Sequence, residues 1–274
     1  MSIINKIFVV IDPTTDQQTA LDRTARMTSR NEALSLHVYC AAYNTASAAD
    51  PDALERVEVS RQRSWVESLV APLREQGTEV EVEIEWTDQW RDALAKAAGR
   101  CGADLIVKAA SAHRVAGRRL LKTSDWTLLR HAHCPVYLAK GGVIDKGATF
   151  LLALDLKKED DLHSTLNERV IRFGQSLAEN VPDSSLHAVN AYVSSERYVY
   201  PSDLAEKVGI PSQQAHTIEG APSKVIAEVA NSIKADMVII GNVSRQGAKA
   251  AVIGNTAEKV LDAVDANVLV VTAQ

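Results

Sequence analysis

The chain carries the same pattern of short apolar runs in each of its halves. Residues 6–12 read KIFVVID and residues 150–155 read FLLALD, two continuous apolar runs that each end in an aspartate. The same correspondence joins two further pairs of segments, 103–108 with 235–240 and 135–139 with 267–271. Such runs are typical of buried strands that end in polar loops. A repeat of this length predicts two copies of one folding unit.

Segments with helical spacing separate these runs. They lie at about 16–30, 50–76, 89–101 and 123–132, and then at about 163–179, 222–234 and 255–265. Four more strands are predicted near 34–41, 78–85, 185–193 and 213–218. Strands that alternate with helices in this way form parallel βαβ units, with helices on both faces of the sheet. The predicted fold class is α/β, with two tandem doubly wound five-stranded parallel-sheet domains.

The length of 274 residues fits two domains, since domains usually have about 100–200 residues. We predict a first domain at 1–142 and a second at 147–274, joined by the glycine-rich segment 140–147. Residues 196–203 break the repeat, because they stand where the first half has a long second helix and are predicted to be irregular.

Glutamates alternate with apolar residues over 79–85, which predicts an edge strand with a solvated charged face.

Composition excludes several classes of protein. The net charge is −5, with 18 basic and 18 acidic residues in 1–142 and 12 and 17 in 143–274, so general nucleic-acid binding is not expected. No apolar run is long enough for a signal peptide or a membrane span. Three scattered cysteines suit a reducing compartment. We therefore expect a cytoplasmic protein.

Ligands of open parallel sheets bind beyond the carboxyl ends of the strands, where the strand order reverses. The candidate residues are therefore Asp12 or Asp155, after the first strand of each half, and the loop after each fourth strand. In the second half this loop ends in Gly254, Asn255 and Thr256, just before a helix whose free N–H groups can bind a phosphate. The same residues can also simply cap the helix, with Glu258 completing a capping box. The dinucleotide pattern GxGxxG and the Walker pattern are both absent, which disfavours a dehydrogenase and a P-loop ATPase.

The chain resembles the ATP-binding universal stress proteins in two features, a first strand that ends in aspartate and a glycine pattern after the fourth strand. In that family the fourth strand is followed by Gly-x2-Gly-x9-Gly-Ser/Thr/Asn, and this chain has Gly241, Ser244, Gly254 and Asn255 at that spacing. The chain as a whole resembles the tandem, two-domain E-type members from bacteria. Three further segments carry this likeness: 9–13, 123–130 and 253–260.

The resemblance implies a stress-response regulatory module with an adenine-nucleotide site, for ATP or ADP, in the second domain. By family analogy Asp155 contacts the adenine and ribose, Gly241 is the first motif glycine, and three residues wrap the phosphates: Gly254, Asn255 and Thr256. Ser244 stands where the family has its middle glycine, and its hydroxyl could donate to a phosphate oxygen. A requirement for Mg stays open. No positioned base or arginine finger is evident, so we assign no catalytic residue and expect at most a slow ATPase.

The first half lacks the motif glycines, which Ala109, Ala112 and Lys122 replace. Asp125 follows in the first turn of the next helix, where a carboxylate repels a phosphate. We predict that this domain folds without binding nucleotide. A basic cluster remains in its loop, and it is either a solvated face or an anion site; its members are Arg114, Arg118, Arg119 and Lys122.

Other candidate sites are weaker. Cys101, His131, His133 and Cys134 include zinc-ligand types, but their spacing matches no zinc motif and we assign no metal. Three strand histidines have no obvious acidic partner in the sequence: His37, His187 and His216.

The alternative function is that both nucleotide sites are lost. The protein would then bind another small molecule, for example an apolar one, or act through a protein partner. The two final strands, 135–139 and 268–272, can pair within one chain and cover each other's edges. This predicts an intrachain pseudo-dimer, present as a monomer or as a homodimer.

Overall fold

The computed structural model describes residues 4–43, 50–110, 112–115, 118–121, 123–157, 160–242 and 255–272. It confirms the predicted α/β class. The chain divides into two compact units, the first made of Met1–Ala109 with His131–Ala139 and the second of Ala110–Arg130 with Lys140–Gln274. These units are defined by packing, and the domain boundaries at 142 and 147 remain predictions from the repeat.

The strands of the two parallel sheets follow the predicted order, and two further described strands form a hairpin. They are β1 Lys6–Ile11, β2 Ser35–Ala42, β3 Val80–Trp86, β4 Leu105–Ala109, β5 Ala112–Val115, β6 Arg118–Leu121, β7 Val136–Ala139, β8 Thr149–Leu154, β9 Ser185–Tyr192, β10 Ala215–Glu219, β11 Met237–Asn242 and β12 Asn267–Thr272.

The helices lie between these strands. They are α1 Thr19–Thr28, α2 Pro51–Glu75, α3 Trp90–Cys101, α4 Thr123–His131, α5 Asp161–Asn180, α6 Pro201–Val208, α7 Pro222–Ser232 and α8 Asn255–Ala263. None of the described helices is long and apolar enough to cross a membrane.

The first unit contains a parallel sheet in the order β3-β2-β1-β4-β7. The strand order reverses between β1 and β4, which pair from Ile7 with Leu105 to Val9 with Val107. Both central strands are almost wholly buried. Continuous apolar runs of this kind are expected of a parallel sheet that is covered on both faces.

The second unit repeats this order as β10-β9-β8-β11-β12. The registers also correspond, because Phe8 pairs with His37 in the first sheet and Leu151 pairs with His187 in the second. Counted back from the aspartates that follow β1 and β8, Phe8 and Leu151 are equivalent positions. The reversal therefore lies between β8 and β11. Equivalent residues of the two sheets can be assigned one by one from the paired strands.

Two elements differ from the sequence prediction. Helix α6 begins with Pro201 within the segment predicted to be irregular, and it ends before Gly209, which adopts a φ of 76°. Proline in the first turn and a left-handed glycine after the last are ordinary helix boundaries. The second difference is the antiparallel hairpin of β5 and β6, which occupies most of the loop after β4.

The glutamates of β3 are not a simple solvated face, so that part of the prediction was wrong. Strand β3 does lie at the end of its sheet. However, both ring nitrogens of the buried His37 contact β3 carboxylates, Nδ1 at 3.1 Å from Glu81 and Nε2 at 2.7 Å from Glu83. Arg100 of α3 binds Glu83 and Glu85 at 2.6 and 2.8 Å. The partner acids of His37 lie on the neighbouring strand, more than 40 residues away in sequence.

Candidate functional site

The candidate site lies at the carboxyl ends of β8 and β11, where the strand order of the second unit reverses. Ile240 of β11 pairs with Ala153 of β8, so Gly241 and Asp155 follow at the same edge of the sheet. In doubly wound sheets the helices diverge at this point and leave a crevice for a ligand. The fold therefore brings together two of the residues that the sequence singles out.

Two asparagine side chains hold the backbone of the loop that carries Asp155. The Asp155 N–H donates to Oδ1 of Asn167 at 3.2 Å, and Nδ2 of Asn167 donates back to the Asp155 carbonyl at 2.9 Å. The next N–H, of Leu156, donates to Oδ1 of Asn190 at 3.0 Å. Asn190 lies in β9 and is only 1% exposed, so its amide is an interior support of the loop. Sequence reasoning missed both asparagines, although an asparagine inside a buried strand was a signal for Asn190.

The half-buried carboxylate of Asp155 is not used by this support. Among the described residues it accepts no hydrogen bond, since all the contacts of this loop run through backbone atoms and the two asparagines. A half-buried carboxylate without a partner is incompletely solvated and favours a hydrogen-bond donor. The loop thus presents an acceptor at the edge where ligands bind.

Gly241 has a packing role that the sequence did not reveal. It lies inside β11 and pairs with Val271, whereas the sequence placed it after the strand. A β-carbon at this position would come within 2.6 Å of Cγ and Cδ2 of Leu166, a buried residue of α5. The glycine therefore allows α5 to approach the sheet closely, next to Asn167 that holds the Asp155 loop.

The phosphate end of the predicted site is described only in part. Helix α8 begins at Asn255, and Thr256 in its first turn is exposed. Ser244 and Gly254 lie outside the described residues. The far end of α8 is held by Lys140, whose ammonium donates to the carbonyl oxygens of Leu261 and Val264. A cation at this end complements the helix dipole and helps to fix the position of α8.

At the equivalent edge of the first unit, the polar side chains form hydrogen bonds within the protein. Thr14 donates to the Asp12 carboxylate through its N–H at 2.9 Å and its hydroxyl at 2.6 Å. Gln18 takes the supporting role of Asn167, because it accepts from the Asp12 N–H at 3.0 Å and donates to the Asp12 carbonyl at 2.8 Å. Lys108, 5% exposed at the end of β4, directs its ammonium to the carbonyl of Ala109 at 3.1 Å. Its equivalent in the second unit is Ile240.

The predicted basic cluster lies on the hairpin. Arg114 of β5 is the register partner of Arg119 of β6, and Arg118 pairs with Val115. Lys122 lies outside the described residues. The hairpin belongs to the second compact unit, as does most of α4. An anion site on the hairpin stays a prediction.

The cysteine and histidine residues near the end of α3 make contacts with the backbone. Sγ of Cys101 contacts the Ala98 carbonyl at 3.3 Å, and Nε2 of His133 contacts the Ala103 carbonyl at 3.1 Å. Within the described ranges, no group of three or more His, Cys, Asp or Glu side chains could hold a metal ion.

Burial and the nearby charge of Asp12 raise the pKa of the Cys40 thiol to about 12, so this cysteine is not a nucleophile at neutral pH.

Comparison with known proteins finds relatives that span the chain. The model of the universal stress protein family matches residues 4–140 and 179–272. Universal stress protein E of Escherichia coli (strain K12) is 28% identical over 300 residues, which cover 99% of this chain and 95% of the relative. The universal stress protein E homolog of Haemophilus influenzae is 28% identical, with 96% of each chain covered.

Solved structures agree with this likeness. A universal stress protein structure from Pseudomonas aeruginosa UCBPP-PA14 is 27% identical, with a TM-score of 0.81 and coverage of 98% of this chain and 93% of that one. A second, from Archaeoglobus fulgidus, is only 16% identical but has a TM-score of 0.76 over 98% of this chain, which shows a shared fold.

Proposed function

Since the chain belongs to the universal stress protein family, we propose that its second unit binds one adenine nucleotide, ATP or ADP, and that the protein acts as a stress-response regulatory module. The proposal also places the protein in the cytoplasm. Its three cysteines form no disulfide bond among the described residues, which suits that compartment. Assembly through the final strands into a pseudo-dimer, with or without a homodimer, is part of the same proposal.

The observation that carries the proposal is the difference between the two aspartates that follow the first strands. Thr14 donates two hydrogen bonds to the Asp12 carboxylate. The carboxylate of Asp155 accepts no hydrogen bond within the described part of the chain. Asp155 also stands beside the strand-order reversal of its own sheet. A carboxylate held in this way can accept hydrogen bonds from ribose hydroxyls or from the adenine amino group.

The phosphates are assigned to the start of α8. The N–H groups of its first turn and the positive end of its dipole favour an anion there. Gly254, Asn255 and Thr256 are proposed to contact the phosphates, with the Ser244 hydroxyl as an additional donor. Cations near these oxygens, Mg included, are neither required nor excluded by the proposal.

Regulation by binding is favoured over turnover. Phosphoryl transfer needs an oriented nucleophile and positive charge on the transferred group. The described part of the site offers one carboxylate and helix N–H groups, which are suited to holding a nucleotide. Any hydrolysis is expected to be slow.

Isothermal titration calorimetry of the full chain with ATP and with ADP tests this function. We expect saturable binding that Asp155→Ala weakens at least about tenfold, since a hydrogen bond to a charged group contributes about 1.5–3 kcal/mol. Asp12→Ala is the matched control and should leave the affinity unchanged. Gly254→Arg should abolish binding by filling the phosphate position.

Absence of detectable binding at millimolar nucleotide would contradict the proposal. Mass spectrometry of the material that co-purifies with the chain then tests the alternative, a non-nucleotide ligand or a protein partner. An equal loss of affinity in Asp12→Ala and Asp155→Ala would also contradict it, because the two units would then contribute alike.

A further inference from the structure

Two histidines form a hydrogen-bonded pair at the outer edge of the second sheet. His187 lies on β9 and His216 on β10, and Nδ1 of the first is 3.2 Å from Nε2 of the second. The ring planes differ by only 9° and the ring centroids are 5.5 Å apart. The two nitrogens therefore face each other in nearly one plane, which is the geometry of a single N–H···N hydrogen bond.

This geometry restricts the protonation of the pair. One of the facing nitrogens must carry a hydrogen and the other must offer a lone pair. The bond therefore exists when both rings are neutral or when one is charged. If both rings were protonated, two N–H groups of two cations would face each other. Burial lowers the pKa of both rings, and the charge of His216 lowers the pKa of His187 further.

The first unit has a different pair at the same positions. His37 and Glu83 are equivalent to His187 and His216, since Tyr39 pairs with Glu83 as Val189 pairs with His216. The carboxylate of Glu83 can accept from a protonated imidazole, and Glu81 occupies the other ring nitrogen. Three charged residues surround the pair in the first unit, and uncharged residues stand at their positions in the second. Gln214 replaces Glu81, Ile218 replaces Glu85 and Ser232 replaces Arg100.

Charges on neighbouring elements do not compensate for this loss. Helix α7 packs against β9 and β10, and its Lys224 and Glu228 pair with each other at 3.7 Å on an exposed surface. Helix α5 covers the opposite face of the sheet, since Gly174 lies against Leu152. Other charged groups nearby lie at the end of β10 and on α6: Glu219, Asp203, Glu206 and Lys207. Among the described residues, none of these groups is bonded to either ring.

We propose that the His187–His216 pair makes the outer edge of the second sheet acid-sensitive, so that protonation of both rings breaks their bond and loosens β10 from β9. Strand β10 is a terminal strand of its sheet and pairs there with β9 through only five residues. The loss of one cross-strand hydrogen bond therefore destabilises this edge more than the centre of the sheet. The proposal does not depend on nucleotide binding.

The pH range follows from the direction of the shifts. The unfolded chain has histidine pKa values of about 6.5, and folding lowers both values. Near pH 6 the unfolded chain thus binds more protons than the folded one, so stability falls as the pH falls. The contribution of the pair is complete above about pH 6.5, and it is lost as the pH falls from there through the lowered pKa of the second ring to be protonated.

Hydrogen exchange of the full chain, read by mass spectrometry at about pH 7.5 and about pH 5.5, tests this proposal. After correction for the intrinsic pH dependence of exchange, amides of β10 should become about fivefold less protected at the lower pH, as expected for losing one hydrogen bond. Amides of β11, in the centre of the same sheet, should keep their protection.

His216→Glu is the decisive variant, because it recreates the His37–Glu83 pair in the second unit. It should remove the acid-induced loss of protection in β10. His216→Gln, which keeps a polar neutral side chain, should remove it as well and serves if the glutamate variant does not fold. His163→Gln is the matched control, since it deletes another histidine of the same unit and should behave like the unchanged chain.

Two results would overturn the proposal. One is equal protection of β10 at both pH values in the unchanged chain. The other is an acid-induced loss that persists in His216→Glu or His216→Gln, which would assign the effect to other groups.

Discussion

The ends of β1 and β8 show how two copies of one loop have come to differ. Both loops begin with an aspartate whose backbone is held by a side-chain amide, Gln18 for Asp12 and Asn167 for Asp155. The carboxylates differ. Asp12 is bonded to Thr14, whereas Asp155 is not bonded within the described residues. The supporting amide is thus a shared feature of the fold, and a carboxylate that accepts no hydrogen bond from the described residues is particular to the second unit.

The neighbouring strands differ in the same sense. The last residues of β4 include Lys108 and Ala109, where β11 has Ile240 and Gly241. In the first unit a buried ammonium binds the chain's own carbonyl, and in the second unit a buried apolar side chain and a glycine packed against Leu166 stand at the equivalent positions. In the first unit these polar groups thus have partners inside the protein, and the proposed assignment of the site to the second unit rests on this difference.

The largest effect is expected for Ile240→Lys, which transfers the lysine of the first unit to the second. Ile240 is 4% exposed, so the new ammonium would replace a buried apolar side chain. We expect the free energy of unfolding to fall by about 3–5 kcal/mol, as for an uncompensated buried charge. Urea unfolding measures this, with Ile240→Leu as the control. Unchanged stability would show that the two strand ends are interchangeable.

A smaller effect is expected for Gly241→Ala, which transfers Ala109 to the second unit. The new methyl group would collide with Leu166 and lower the free energy of unfolding by about 1–3 kcal/mol. The reverse change, Ala109→Gly, should cost only about 0.5–1 kcal/mol. Combining Gly241→Ala with Leu166→Ala should cost less than the sum of the two single changes, because they share one contact. Simple additivity in urea unfolding would refute the packing role.

The smallest effect is expected for Thr14→Ala, which releases one of the two Thr14 contacts on Asp12. The exposed hydroxyl should contribute less than about 1 kcal/mol to stability, a value that urea unfolding can bound. No nucleotide should bind to the first unit, because Lys108 and Ala109 still close the strand edge. If calorimetry detected a second nucleotide in this variant, Thr14 alone would account for the difference between the units.

The sequence predicted most strands and helices because their signals are local. The apolar runs and their aspartates placed β1 and β8 within a residue of their observed ends. Helix α6 was missed because aromatic residues before it suggested a loop, although Pro201 and Gly209 marked its ends. The hairpin of β5 and β6 was missed because its residues were assigned as a degenerate motif loop.

The site was predicted less completely because its contacts join distant residues. Asp155 could be singled out from its position after a strand, but the support from Asn190 depends on a contact 34 residues away. The partners of His37 and the packing of Gly241 against Leu166 arise in the same way from neighbouring strands and helices. The equivalence of Glu83 and His216 became visible only once the strand registers were known.

The count of nucleotides bound to each chain tests the central claim most directly. Native mass spectrometry of the full chain with ATP or ADP should show one bound nucleotide per chain, lost in Asp155→Ala and kept in Asp12→Ala. Two bound nucleotides, or a single one that is lost in Asp12→Ala and kept in Asp155→Ala, would contradict the assignment of the site to the second unit.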